Sequence, residues 1–223
     1  MSGKGGNLHD TERSADPTVP AHELVYRVLR ARIMQGVMAP GASLTLRGIA
    51  AEFGVSMTPA REAARRLVAE GALKLSASGR ISTTVLTRER IEELSAIRAL
   101  LETELATRSL PRAHGALIDR MAEVHRQIET ARYNDDALTY VRLNLDFHRL
   151  LYLRAQAPAM LALVETVWLQ LGPTMRQLYD VHSRRQLAPT HDKILDALRD
   201  NDEPGLRVAI REDVTNGLRL LVQ

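Results

Sequence analysis

From Thr87 to the C-terminus of the 223-residue chain, apolar side chains recur three and four positions apart, and no alternating run breaks the pattern. Ile91, Leu94, Leu101 and Leu105 form one stripe, Leu117, Met121, Val124 and Ile128 the next, then Tyr140, Val141, Phe147 and Leu151. Leu161, Val164, Val167, Trp168 and Leu171 continue it, followed by Ile194, Leu195 and Leu198, and by Leu206, Ile210, Val214, Leu218 and Leu221. A helical period without β-rich segments leaves helix packed on helix as the way to bury these faces. Pro111, Asn134-Asp135, Pro158, Gly172-Pro173, Pro189 and Pro204 punctuate the pattern, which predicts an all-α bundle of six or seven helices over 86–223. No self-similarity at roughly 20 to 50 residues points to a solenoid.

Upstream of Thr87 the pattern changes. Leu24 to Gln35 reads as a first helix with Leu24, Val28, Leu29 and Ile33 inward, closed by Gly36 and the Pro40-Gly41 pair. Thr45 is placed to cap a second helix whose apolar face is Leu46, Ile49, Ala50 and Phe53. Gly54-Val55 forms the tight turn of a helix-turn-helix, and Ser56 can cap a third helix that opens Met57-Thr58-Pro59. Pro59 is tolerated there because a first-turn N–H has no intrahelical partner to lose. Ala60, Ala63, Ala64, Leu67 and Val68 face inward, which leaves Met57, Thr58, Arg61 and Arg65 outside. The runs LKL and ISTTV flank Ala77-Ser78-Gly79-Arg80 and predict a hairpin, so residues 21–85 are expected to form a winged helix-turn-helix.

Charge separates the same two regions. The whole chain is net +3, but residues 21–85 hold nine Lys or Arg against four Asp or Glu, net +5, while 86–223 hold 19 against 20, net −1. A basic excess on the short module is what a nucleic-acid reader requires. An exposed helix N-terminus offers free N–H groups and partial positive charge to phosphate, and arginine reaches phosphate or guanine edges. Arg61 and Arg65, with Ser56, Met57 and Thr58 at the helix start, are therefore the candidate DNA-contacting residues. Arg47, at the head of the second helix, and Arg80, at the wing tip, would meet the DNA backbone. The competing arrangement pairs Arg61 and Arg65 with Glu62 and Glu70 on a solvated face.

Cysteine is absent, which excludes disulfides, thiolate nucleophiles, iron–sulfur clusters and Cys-based zinc sites and fits a reducing cytoplasm. Residues 1–20 lack the apolar run of a signal peptide and read as a solvated arm. No window approaches the roughly 20 apolar residues that span a bilayer, so no membrane partner is expected. No HExxH, Gly-x-Ser-x-Gly, P-loop or dinucleotide fingerprint is present. A metal-dependent enzyme on a helical bundle is nevertheless the alternative from another functional class.

The stretch LRARIMQGVMAPGASLTLRGIAAEFGVSMTPAREAARRLVAEGALKL resembles the winged helix-turn-helix of the GntR family of bacterial regulators. IRALLE at 97–102, LNLDFHRLLYLRA at 143–155, HDKILDAL at 191–198 and the final helix are similar to the all-α FCD ligand domain of its FadR-type branch. The resemblance implies a homodimer on a palindromic double-stranded operator and an effector that alters the spacing or mobility of the winged modules, relieving repression. Met57 departs from the pattern, since many relatives carry Arg there, and this bears on base preference.

Asn144 and His148 lie i,i+4 on one helix face, a spacing that presents two ligands to a metal, and His191 opens a later helix. The resemblance implies a divalent metal held by Asp or Asn and His from one helix, His from a later one and His from the last. The matching positions are Asn144, His148, His191 and Asp213. Asp213 stands where His is usual, which should lower Zn²⁺ affinity and favours a harder ion such as Mn²⁺ or Mg²⁺, with Ni²⁺ also a candidate. The plainer alternatives are core histidines and an Asp213 that is solvated or pairs with Arg98. Arg98 lies on an apolar stripe between Leu94 and Leu101; either it pairs with Glu102 or it points into a cavity and binds an anion bidentately. The resemblance favours a small carboxylate effector there, and a metal-free sensor of a long acyl thioester is the other possibility. His114, His125 and His182 fall on loops or polar faces without a role, and Phe147 and Trp168 are expected in the core.

Overall fold

The computed structural model describes residues 19–76, 79–181 and 190–219; the arm up to Thr18, Ala77-Ser78, His182, Pro189 and Leu221 lie outside them. Helices α1 (Ala21–Met34), α2 (Leu46–Phe53) and α3 (Met57–Ala69) come first, with strands β1 (Ser43–Leu44), β2 (Leu73–Leu75) and β3 (Ile81–Thr83). The later described residues form α4 (Arg88–Ser109), α5 (Gly115–Tyr133), α6 (Ala137–Tyr152), α7 (Pro158–Val181), α8 (His191–Arg199) and α9 (Glu203–Arg219). None of these helices is long and apolar enough to cross a membrane.

Local signals account for the winged module. Thr45 Oγ1 accepts from the Gly48 N–H at 2.9 Å and starts α2; Gly54, left-handed at φ 63°, ends it. Ala60, Ala63, Ala64 and Leu67 of α3 are buried against α1 and α2, the alanines allowing close approach. On α1 the buried residues are Val25, Tyr26, Leu29 and Ile33, whereas Leu24 and Val28, expected inward, are half-buried. α1 is packed from two sides, by α3 and α7, so its buried face is broader than a single stripe. The wing pairs β2 with β3 antiparallel, Leu73 opposite Thr83 and Leu75 opposite Ile81, and β1 joins the free edge of β3. Buried Thr83 ties the wing to the Pro40-Gly41 loop: its Oγ1 donates to the Ala39 carbonyl at 2.6 Å and accepts from the Ala42 N–H at 2.9 Å.

The predicted stripes of the bundle converge on one core that includes Leu105, Met121, Ile128, Phe147, Leu151, Ile194, Leu206 and Ile210. Contrary to the sequence-based expectation, Gly172-Pro173 does not end a helix; α7 runs through it. The reason lies across the interface with α1. A Cβ on Gly172 would sit 2.2 Å from the Ile33 carbonyl oxygen, and one on Gly36, at φ +70°, would sit 2.7 Å from Arg176 Cβ. Glycine at 172 thus serves backbone contact between α1 and α7 rather than helix termination. One turn earlier, fully buried Leu169 of α7 belongs to the winged module's core, with Ile33, Ile49 and Leu67. Its neighbour Gln170 donates to the Glu70 carbonyl and accepts from Arg90, both at 3.0 Å.

Candidate effector site and nucleic-acid interface

The winged module holds eight arginines, and they divide evenly. Arg27 pairs with Glu23, Arg66 with Glu23 and Glu70, Arg30 with Glu70 and Glu165, and Arg32 with Glu52. Arg47, Arg61, Arg65 and Arg80 are exposed and have no carboxylate partner among the described residues. The competing pairing does not form: Glu62 faces His22 at 3.7 Å, and Glu70 is taken by Tyr26, Arg30 and Arg66. Ser56 occupies the N-cap position of α3, but its hydroxyl makes no capping bond and the first turn has no acidic residue. The amide end of α3, flanked by exposed Met57 and Thr58, therefore keeps its partial positive charge uncompensated.

In the bundle the polar chemistry points inward. A cavity of about 80 Å³ is walled by Arg98, Tyr140, Asn144, Trp168, Thr190 and Asp213, and Met34 of α1 lines it too. Arg98 pairs with Glu102 and also lines the cavity. Its Nε donates to Glu102 Oε1 at 2.6 Å and Nη2 to Oε2 at 3.4 Å, while Nη1 reaches the Val214 carbonyl at 3.4 Å beside the cavity. Burial disfavours the Arg98 cation, but the Glu102 carboxylate holds its pKa above the ordinary value. Glu102, fully buried, also accepts from Trp168 Nε1 at 2.9 Å and from the Tyr152 hydroxyl at 3.0 Å. Trp168 is thus a cavity wall and a hydrogen-bond donor as well as a core residue.

The Tyr152 hydroxyl lies 3.2 Å from His148 Nδ1, and His148 Nε2 lies 2.9 Å from Asp213 Oδ2. His191 Nε2 is 3.7 Å from that same oxygen. Thr190, at the N-cap of α8, donates its N–H and its hydroxyl to Asp213 Oδ1, each at 3.0 Å. Asp213 is therefore neither a solvated carboxylate nor the hydrogen-bonded partner of Arg98. Ligand atoms of His148, His191 and Asp213 all lie within 4.8 Å of one another, and Asn144 lines the cavity one turn before His148. Burial pushes the His191 pKa down to about 3, so its ring is neutral near pH 7. Burial also works to raise Asp213, but the facing histidines and the Thr190 N–H hold it well below the carboxylate range. Both ring nitrogens of His191 are buried without a hydrogen-bond partner. Leaving such an atom unpaired costs about 1–3 kcal/mol. A neutral His191 imidazole and the His148 ring beside an ionised carboxylate offer the donor atoms of a divalent-metal site, and the residues fit one.

His125 departs from expectation. It is buried on α5, its ring meets that of His191 edge-on with centroids 5.3 Å apart, and its Nε2 lies 3.2 Å from Asp192 Oδ1. Phe147 stacks on the other imidazole, with the His191 centroid 3.8 Å away, and so is both core and site. His114 is the exposed N-cap of α5. Sequence reasoning missed His125, Thr190 and Met34. Only His125 left a local signal, standing four residues after Met121 and three before Ile128 on the buried stripe.

A winged reader with half of its arginines unpaired, joined to an all-α domain around a polar cavity, defines a ligand-responsive, DNA-binding transcription regulator. Residues 21–85 match the family described as bacterial regulatory proteins, gntR family, and residues 93–216 match the FCD domain. The chain belongs to the GntR family, in its FCD-bearing branch, and is not an enzyme. The HTH-type transcriptional regulator McbR of Escherichia coli (strain K12) is 24% identical over 198 residues, 87% of this chain and 90% of that protein. The gluconate operon transcriptional repressor of Bacillus subtilis (strain 168) is 28% identical over 171 residues, covering 75% of this chain and 68% of the repressor. The fold matches solved E. coli McbR/YncC with a TM-score of 0.83 at 24% identity, over 91% of this chain and 97% of that one. It also matches a GntR regulator from Rhodococcus sp. RHA1 with a TM-score of 0.75 at 21% identity, over 90% and 97% of the two chains.

Proposed function

We propose that this regulator is a cytoplasmic homodimeric repressor released from a palindromic operator by a small organic acid. Residues 21–85 act as the reader and 86–223 as the sensor. The division of the arginines carries the first half of this reading: four are neutralised within the protein and four are left for phosphate and base edges. Arg61 and Arg65, with Ser56, Met57 and Thr58, enter the major groove of double-stranded DNA, while Arg47 and Arg80 contact its backbone.

In the sensor, His148, His191 and Asp213 hold a divalent ion (Mn²⁺, Zn²⁺, Ni²⁺ or Mg²⁺), with the Asn144 amide oxygen as a further donor. When bound, the ion supplies Lewis-acidic charge to the effector's carboxylate. Arg98, oriented by Glu102, offers guanidinium N–H groups to the same carboxylate. A cavity of about 80 Å³ suits an acid of a few carbon atoms better than a long acyl thioester.

Fluorescence anisotropy on DNA enriched from random sequence tests the reader. Arg61→Ala should weaken binding about 5- to 150-fold, with thermal unfolding unchanged and with affinity falling steeply as salt rises. Unaltered affinity in this variant would remove α3 as the reading helix.

A further inference from the structure

Outside the four proposed ligands, we infer that His125 and Asp192 form a hydrogen-bond relay with His191 that fixes the orientation of the His191 ring. The inference rests on the metal site proposed above and concerns a residue that site does not use. His191 Nε2 is the nitrogen facing Asp213, at 3.7 Å, so it is the atom positioned to ligate. A neutral imidazole that ligates through Nε2 carries its proton on Nδ1, and that N–H calls for an acceptor, ordinarily a carboxylate, a carbonyl or water. Here Nδ1 is buried without a partner.

Three rings surround His191. Phe147 has no ring acceptor atom, and His148 is engaged at both nitrogens, by Asp213 and by Tyr152. His125 remains, its own Nδ1 also buried and unpartnered, and its Nε2 3.2 Å from Asp192 Oδ1. With the His125 proton on Nε2, that N–H donates to Asp192 and leaves Nδ1 as an acceptor for His191 Nδ1–H. Every proton then has one donor and one acceptor, and both orphaned nitrogens are answered. The two ring centroids stand 5.3 Å apart, and the broad χ2 energy well of histidine is the freedom on which the contact draws. His125 is accordingly a positioning residue carried by α5, and Asp192, whose side chain is 82% exposed, anchors the relay at the surface.

The test is calorimetric titration of metal-free full-length protein with Mn²⁺ and with Zn²⁺, alongside thermal unfolding of each variant. His125→Leu should lower metal affinity about 10- to 100-fold. His125→Asn, whose amide oxygen comes near the Nδ1 position, should restore most of it. His125→Gln, which reaches toward the Nε2 position instead, should behave like the leucine variant. Asp192→Asn should cost less than His125→Leu. In metal-free wild type, ¹⁵N imidazole shifts should show His191 protonated at Nδ1, and His125→Leu should lose that fixed tautomer. A wild type that takes up no metal overturns the metal site. Wild-type uptake abolished by His148→Ala but undiminished by His125→Leu overturns the relay alone. Equal losses for His125→Leu and His125→Asn, with the His191 tautomer unchanged, would reduce His125 to a packing residue and overturn the relay as well.

Discussion

In the winged module Arg47, Arg61, Arg65 and Arg80 stand in solvent without carboxylate partners, and the buried polar residues are only Thr83 and Thr84 among those described. In the bundle the arrangement is inverted: Arg98, Glu102, His148 and His191 are buried. An unpaired cation is tolerable where water solvates it, and there it remains available to phosphate. A buried charge persists only inside a network that satisfies it, and such a network can be shaped to accept one more partner. One chain thus leaves charge free on the surface of its DNA-binding module and satisfies it within the interior of its ligand domain.

The largest expected effect falls on the interior network. Glu102→Leu removes the partner of Arg98 and the acceptor for Trp168 and Tyr152, and should cost about 3–5 kcal/mol in chemical denaturation. Arg98→Met combined with Glu102→Leu should recover much of that loss, since no charge is then stranded. If Glu102→Leu cost no more than an exposed substitution, the contrast between the two regions would break.

A smaller effect should appear with pH in metal-free protein. Burial holds the His191 pKa at about 3 against 6.5 in the unfolded chain, so the unfolded state takes up the proton first. Stability from this group is complete above pH 6.5 and declines toward pH 3, by up to about 2 kcal/mol between pH 6.5 and 5. Depression of the Asp213 pKa acts in the same direction at lower pH, because protonating that carboxylate also favours the unfolded chain. Urea unfolding at several pH values should show the slope, and His191→Phe should flatten it. The smallest effect belongs to the wing. Arg80→Ala should weaken DNA binding evenly across sequences, reduce the salt slope by about one unit, and leave stability within about 0.5 kcal/mol. A shift in sequence preference would show that Arg80 reads bases.

Much of the winged module was legible because its signals are local. Thr45, Gly54 and the alanines of α3 act through their own neighbours, and the LKL and ISTTV runs give the hairpin. β1, two residues long, carries no period to read. In the bundle, i,i+4 spacing and family resemblance supplied Asn144 and His148, and resemblance supplied His191 and Asp213; the structure brings the last three together. What sequence could not supply depends on which helices meet. Gly172-Pro173 looks like a helix terminator until α1 is placed against it, and Met34 lines the cavity only because α1 and α7 are docked. The spacing of His125 from Met121 and Ile128 puts it on the buried stripe rather than on a polar face, but nothing local reveals the imidazole of α8 beside it.

Leu169 is carried by the sensor yet fills the core of the reader. A winged module transplanted onto a foreign ligand domain would lose that leucine and acquire a cavity among Ile33, Ile49 and Leu67, at a cost of about 2–5 kcal/mol by analogy with leucine truncation. The reverse graft would leave an orphaned leucine on α7. Chimeric biosensors built from this regulator should therefore carry α7 across with the winged module, or redesign position 169 and its pocket together, because the functional seam does not coincide with the physical one.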